Sequence, residues 1–193
     1  MLDGIIHWDE TLFAIINGAH SPWKDSLFSI ISNKTTWLPL YAVLFVFAVV
    51  KQGWRKGVFF LLASIIIVGL ADLCSVHFFK NVFERLRPCH QPHLTDTVHR
   101  VNNRCGGLYG FVSSHAANHF ALAWVFAIQL RPQFKKWSLV FFFWAGIIAL
   151  SRVYLGVHFP TDVIVGAALG STIAMVVLPL LTKAFSHLVK NKN

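Results

Sequence analysis

Charge is scarce in this chain, and negative charge most of all. Of 193 residues only eight are Asp or Glu, against seventeen Lys or Arg, and charged residues make up 13% of the total. A soluble globular domain carries about 25%. With 55% apolar and 15% aromatic residues, the composition argues against a water-soluble domain. No Gly/Ser-rich or Pro-rich linker, low-complexity tract or internal repeat breaks the sequence, so one domain over residues 1–193 is expected. A basic n-region ahead of the first apolar stretch is also missing, and Asp3, Asp9 and Glu10 stand in its place, which argues against a cleavable secretory signal.

Three segments hold basic residues and no acidic ones: Lys51, Arg55 and Lys56; Arg131, Lys135 and Lys136; Lys183, Lys190 and Lys192. The other eight basic residues are balanced by the eight acidic ones. Basic clusters between or after apolar runs mark cytoplasmic loops. Nucleic acid is not an expected partner, because no positive stripe on a folded face accompanies the charge.

What the sequence does have is long apolar runs. Residues 57–79 reach about 34 Å as a helix, enough to cross a hydrocarbon core of about 30 Å. Further runs lie at 36–50, 114–130, 138–155 and 160–181, the last opening on Pro160, which suits a first helical position. Gly166 and Gly170 form a small-xxx-small pair that implies close helix packing. Five spans put the three basic segments on one side and the 80–113 and 151–160 connections on the other. Residues 5–34 read as two helices, the second started by Ser21-Pro22, lying at the interface; a sixth, irregular span is the competing reading. The expected fold class is therefore all-α, a multi-pass transmembrane helix bundle of five or six spans. In it 1–35 form interfacial helices, 36–183 the helical core and 184–193 a cytoplasmic tail.

Ionisable residues concentrate in three segments on the side away from the basic clusters. Lys80 and Arg87 stand seven apart, two helical turns, and share a face if the helix continues to Pro88. Ser113, Ser114 and His115 open a span, offering hydroxyls, backbone donors and a positive helix end to an anion. Arg152, His158 and Asp162 join two spans at the membrane boundary, where such groups are expensive unless paired or functional. A carboxylate at Asp162 can accept a ring N–H of His158, fixing its tautomer and leaving the other nitrogen free to attack.

Taken together, these segments resemble the type 2 phosphatidic acid phosphatases, integral-membrane lipid phosphatases related to vanadium haloperoxidases. That family's pattern is Lys with Arg-Pro after six intervening residues, then Pro-Ser-Gly-His, then Ser-Arg-x5-His-x3-Asp. Lys80, Arg87 and Pro88 match the first part, and Ser151, Arg152, His158 and Asp162 the third. The second is matched at Ser113 and His115, with Val112 for the Pro and Ser114 for the Gly. The resemblance implies a metal-independent phosphatase with no cofactor, in which His158 attacks phosphorus, oriented by Asp162. His115 protonates the departing oxygen and then activates water. Lys80, Arg87 and Arg152 neutralise the phosphoryl oxygens, helped by Ser113 and the N–H of Ser114. The implied substrate is a lipid phosphomonoester or pyrophosphate entering from the periplasmic or exterior face of the cell membrane. Polyprenyl pyrophosphate, phosphatidylglycerol phosphate, phosphatidic acid and lipid A phosphate are the classes considered, the first favoured as a common task of short members. The alternatives are phosphotransfer to an acceptor other than water and a non-catalytic anionic-lipid carrier.

Other signals carry less. Asp72 lies about 12 Å of helix rise below Lys80, too far for a direct pair, and is expected to bond a neighbouring helix or buried water. His115 with His119, and Cys89 with His90 and His93, have zinc-ligand chemistry but lack a His-Glu-x-x-His or CxxC context, so no metal is expected. Cys89 and Cys105 share the outer loop, where a disulfide is expected in an oxidising compartment, and Cys74 is expected only to pack. Oligomeric state leaves no trace in the sequence.

Overall fold

The computed structural model of the protein describes residues 2–190. Seven helices carry the architecture: α1 (Leu2–Gly18), α2 (Pro22–Ser32), α3 (Leu38–Gln52), α4 (Trp54–Cys74), α5 (Ser114–Gln129), α6 (Val140–Tyr154) and α7 (Pro160–Lys190). The protein is a multi-pass helical membrane bundle. Their boundaries follow local chemistry. Pro22 and Pro160 occupy first-turn positions. Ser113 accepts from the Ala116 N–H at 3.4 Å as the cap of α5. Ser21 has the extended backbone of a cap, but its hydroxyl makes no capping bond.

The expected count of five or six spans is corrected to four helical segments, among the described residues, long and apolar enough to cross: Lys34–Gln52, Trp54–Phe83, Arg131–Tyr154 and Pro160–Lys190. The span expected at 114–130 is α5, with 16 residues, about 24 Å of rise, and it is set apart by its place. α5 packs among α4, α6 and α7, so protein, and not lipid, surrounds most of it. Ala116, Ala117, Ala121, Ala123 and Ala127 are buried along it, and small side chains let the neighbours approach. A Cβ on Gly170 would lie 1.9 Å from the Ala117 carbonyl oxygen, and one on Gly166 would lie 2.6 Å from that of Ser113. The two glycines therefore set the α5–α7 distance, as their spacing suggested.

Outward faces of the other helices remain apolar. Val43, Val46, Leu62, Ile65, Phe143, Val176 and Leu180 are all exposed, which suits a hydrocarbon surround.

The bundle has two chemically different ends. Gln52 donates to the Gln129 carbonyl and to Gln133, Phe47 packs on Phe134, and Phe59 stacks on Phe185. These contacts gather the three basic segments at one end. α1, α2, the 84–113 connection and the 155–159 turn occupy the other. Helix α7 continues unbroken through 184–190, the start of the expected tail; residues 191–193 of that tail lie outside the described residues.

The N-terminal helices are fastened to this second end by polar contacts. Asn17 Nδ2 donates to the carbonyls of His99 (2.9 Å) and Tyr154 (2.7 Å), and Asn17 Oδ1 accepts from the His99 N–H at 2.8 Å. The Tyr154 hydroxyl donates to Asp25 at 2.6 Å, with His99 Nε2 at 3.0 Å from the same carboxylate. Burial alone raises the Asp25 carboxyl, but the bonds from Tyr154 and His99 outweigh it and hold the group below its ordinary value.

Candidate active site

After α4 the helix continues through a π-helical turn, Ser75–Lys80, and one short turn to Phe83. The wider turn brings Lys80 round to α5, where its Nζ donates to Ser114 Oγ at 2.6 Å; Ser75 Oγ lies 2.7 Å from the same hydroxyl. The helix does not reach Pro88. Glu84 takes the left-handed conformation and Arg87 is extended, as a residue before proline prefers. Lys80 and Arg87 therefore do not share a helix face. A short antiparallel pairing positions Arg87 instead: its N–H donates to the Leu108 carbonyl at 3.1 Å, and the Gly110 N–H to that of Arg85 at 2.8 Å. Gly110 leaves room for this approach, since a Cβ there would lie 3.0 Å from Asp162 Oδ2 and 3.1 Å from Arg87 Cγ.

Arg87 points at His158. Its Nη1 lies 3.3 Å from His158 Nε2 and 3.3 Å from the Val157 carbonyl. A guanidinium can only donate, so Nε2 is the acceptor and the ring proton sits on Nδ1. Nδ1 faces Asp162 Oδ2 at 3.3 Å. The sequence-derived arrangement is present, with one nitrogen oriented by the carboxylate and the other carrying a lone pair towards a cation. Burial, together with the charges of Arg87, Arg152 and Lys80, holds the His158 ring well below its ordinary pKa. A neutral imidazole follows.

Asp162 is fully buried, and a buried carboxylate needs partners. It accepts from the Phe159 N–H at 3.0 Å and from Arg85 Nη1 at 2.9 Å. Arg85 also pairs with Asp9 of α1 at 2.6 Å and stacks over the Phe159 ring at 4.3 Å. Asp9 in turn accepts from the Thr161 N–H at 2.8 Å. Sequence reasoning assigned neither Arg85 nor Asp9. The available signals were an acidic residue within the apolar repeat of α1 and a third cation in the Lys80–Arg87 segment.

His115 and Arg152 line a cavity of about 520 Å³ beside this cluster. His115 lies within reach of the charges of Arg152 and Lys34. Arg152 donates to Ser32 Oγ of α2, while the Nε atoms of Arg87 and Arg152 are buried with no acceptor among the described residues. Ser113 and His115 are carried on the same end of α5, and the Ser113 N–H donates to the Asp162 carbonyl at 2.9 Å. All eight sequence-derived site residues thus lie at one end of the bundle. The Ser113 hydroxyl is engaged as the helix cap and is fully buried.

The lesser signals also find places. Asp72 accepts from Asn118 at 3.2 Å, a bond to a neighbouring helix as expected. His119 bonds the His115 carbonyl at 2.8 Å and packs on Trp144. His93 lies 2.9 Å from Glu10. Cys89 and Cys105 are joined by a disulfide, which leaves their thiolates unavailable to the nearby His90.

A buried His–Asp pair facing a set of cations at the edge of a membrane bundle defines a class, the membrane-embedded phosphatases. The sequence profile of the PAP2 superfamily matches residues 57–186, and the chain belongs to that family. It is 34% identical to the lipid A 4'-phosphatase of Porphyromonas gingivalis over 88% of this chain and 71% of that one. Against the lipid A 4'-phosphatase of Bacteroides thetaiotaomicron it is also 34% identical, covering 88% and 75%. The crystal structure of a transmembrane PAP2-type phosphatidylglycerolphosphate phosphatase from Bacillus subtilis superposes with a TM-score of 0.68 at 24% identity, covering 93% of this chain and 87% of that one, a likeness of fold. The protein is a PAP2 lipid phosphatase, a phosphoric ester hydrolase of the membrane.

Proposed function

We propose that the protein removes phosphate from a phosphorylated membrane lipid through a phosphohistidine on His158. The observation that carries this reading is the orientation of His158, with Nδ1–H towards Asp162 and the Nε2 lone pair towards Arg87. In the first step Nε2 attacks phosphorus, the P–N bond forms, and the P–O bond to the lipid breaks as His115 gives its proton to the departing oxygen. In the second, His115 takes a proton from water, the resulting hydroxide attacks phosphorus, and the P–N bond breaks to release phosphate. Lys80, Arg87, Arg152 and the N–H of Ser114 face the phosphoryl oxygens, and no metal is required for charge neutralisation.

A lipid, and not a soluble phosphate ester, is favoured by a second space. An apolar groove of about 540 Å³, lined by Tyr41, Phe45, Phe60, Leu122 and Phe126 among others, runs between α3, α4 and α5. Lys34 borders both this groove and the polar cavity, so chain and headgroup have adjoining places. Of the substrate classes expected from the sequence, the names of the two bacterial relatives favour a lipid A phosphate over polyprenyl pyrophosphate. The basic segments face the cytoplasm and the site faces outwards.

The test is phosphate release in detergent, with chelator present, from lipid A phosphate, polyprenyl pyrophosphate, phosphatidylglycerol phosphate and phosphatidic acid. Activity should survive chelation. His158→Ala and Arg152→Ala should retain the fold and lose on the order of 10²–10³ in rate or more. Full activity in His158→Ala, or dependence on added metal, would defeat the reading.

A further inference from the structure

The cavity beside His115 carries more positive charge than one phosphoryl group needs. Besides Arg152 it is lined by Lys34, in the short turn between α2 and α3, and by Arg104, in the outer loop next to Cys105. No carboxylate lines it. Among the described residues neither Lys34 nor Arg104 has a carboxylate partner, whereas several other charged groups at this end are paired. Arg85 holds Asp9 and Asp162, His93 meets Glu10, and His99 and Tyr154 share Asp25. Lys34 and Arg104, both exposed, thus line the cavity without a carboxylate partner among the described residues.

Both positions are held by local structure. Asn33 caps the turn of Lys34 by accepting from the Thr35 N–H at 3.1 Å. The disulfide to Cys89 fixes the residue after Arg104. The charge of Lys34 reaches His115 and His119, so it belongs to the electrostatic field of the site.

We infer that Lys34 and Arg104 form a subsite for a second phosphate of the substrate, distinct from the phosphoryl group attacked by His158. This rests on the lipid phosphatase mechanism proposed above and narrows its substrate to lipids bearing two phosphates. The second phosphate is either joined directly to the first or carried elsewhere on the headgroup. Like-signed cations held together without a carboxylate repel one another, and an anion between them removes that repulsion.

The experiment measures kcat and KM for two matched pairs in detergent. One pair is farnesyl diphosphate with farnesyl monophosphate; the other is an acylated disaccharide lipid bearing two phosphates with the same lipid bearing one. Unaltered protein should prefer the two-phosphate member of one pair. In Lys34→Ala and Arg104→Ala that preference, as a ratio of kcat/KM values, should fall about tenfold, the size of one charge-assisted hydrogen bond. The loss should lie mainly in KM, shrink at high salt and be largely restored by Lys34→Arg. Lys24→Ala, which removes a surface cation outside the cavity, should leave the ratio unchanged.

Preference confined to the farnesyl pair assigns a joined diphosphate, and preference confined to the disaccharide pair a separate phosphate. Equal losses on both members of each pair, or no loss at all, overturn the subsite while leaving the hydrolytic reading intact. Failure of the unaltered protein to release phosphate from any of the four lipids would sink that reading and the subsite with it.

Discussion

Arg85 stands between two buried carboxylates, Asp9 at 1% exposure and Asp162 at 0%, that come from opposite ends of the sequence. Its guanidinium joins α1 to the first turn of α7, and Asp162 then orients His158. Removal of Arg85 strands both carboxylates, which is the costly way to break a buried pair; a fully buried case loses about 3–5 kcal/mol. Arg85 is itself 25% exposed, so Arg85→Ala is expected to lose about 2 kcal/mol, seen as a lower unfolding midpoint in detergent. The rate should fall more than KM rises, because the His158 ring loses its fixed support, and Arg85→Lys should recover part of both. A variant of unchanged midpoint and unchanged kcat would remove Arg85 from the positioning chain. The His158–Asp162 relation was legible in the sequence because the two are four residues apart at a helix start. The Arg85–Asp9 relation was not, since no local pattern connects residues 76 positions apart.

Helix α5 carries Ser113, Ser114 and His115 and is held against α7 by the bare faces of Gly166 and Gly170. The sequence showed that contact through a small-xxx-small pair, and the structure gives it a magnitude: a methyl group at Gly170 cannot fit without displacing the backbone. Gly170→Leu should therefore lower stability by about 1–3 kcal/mol and reduce activity as α5 shifts, with Gly146→Leu on α6, which meets nothing within 4 Å, as the neutral comparison. Equal midpoints for the two variants would mean that the α5–α7 contact yields easily. Apolar runs marked the helices, but only the packing of α4, α6 and α7 around α5 separates it from the lipid-facing ones. Hydropathy cannot distinguish a helix buried in lipid from one buried in protein. The overextended helix before Pro88 had a different origin: a seven-residue spacing was given more weight than the bias of a pre-proline residue towards extended backbone.

Across the bundle, three features separate the ends. The basic segments gather at one, and the His–Asp site and the Cys89–Cys105 bond lie at the other. A disulfide belongs to an oxidising compartment and a basic loop to the cytoplasm, so two unrelated kinds of chemistry support the orientation proposed above. That orientation can be tested with a membrane-impermeant maleimide on intact cells. Cys89→Ser frees the thiol of Cys105, which should label from outside without permeabilisation. Arg55→Cys in a background lacking the native cysteines should label only after the cells are opened. Loss of the bridge should also lower stability by about 3 kcal/mol by the chain-entropy model and loosen the loop that carries Arg104, so Cys89→Ser should weaken binding of phosphorylated lipid as well as the fold. Labelling of Arg55→Cys in intact cells would invert the protein in the membrane and turn the phosphatase site towards the cytoplasm, where a structural disulfide in that loop would have no oxidising surroundings to maintain it.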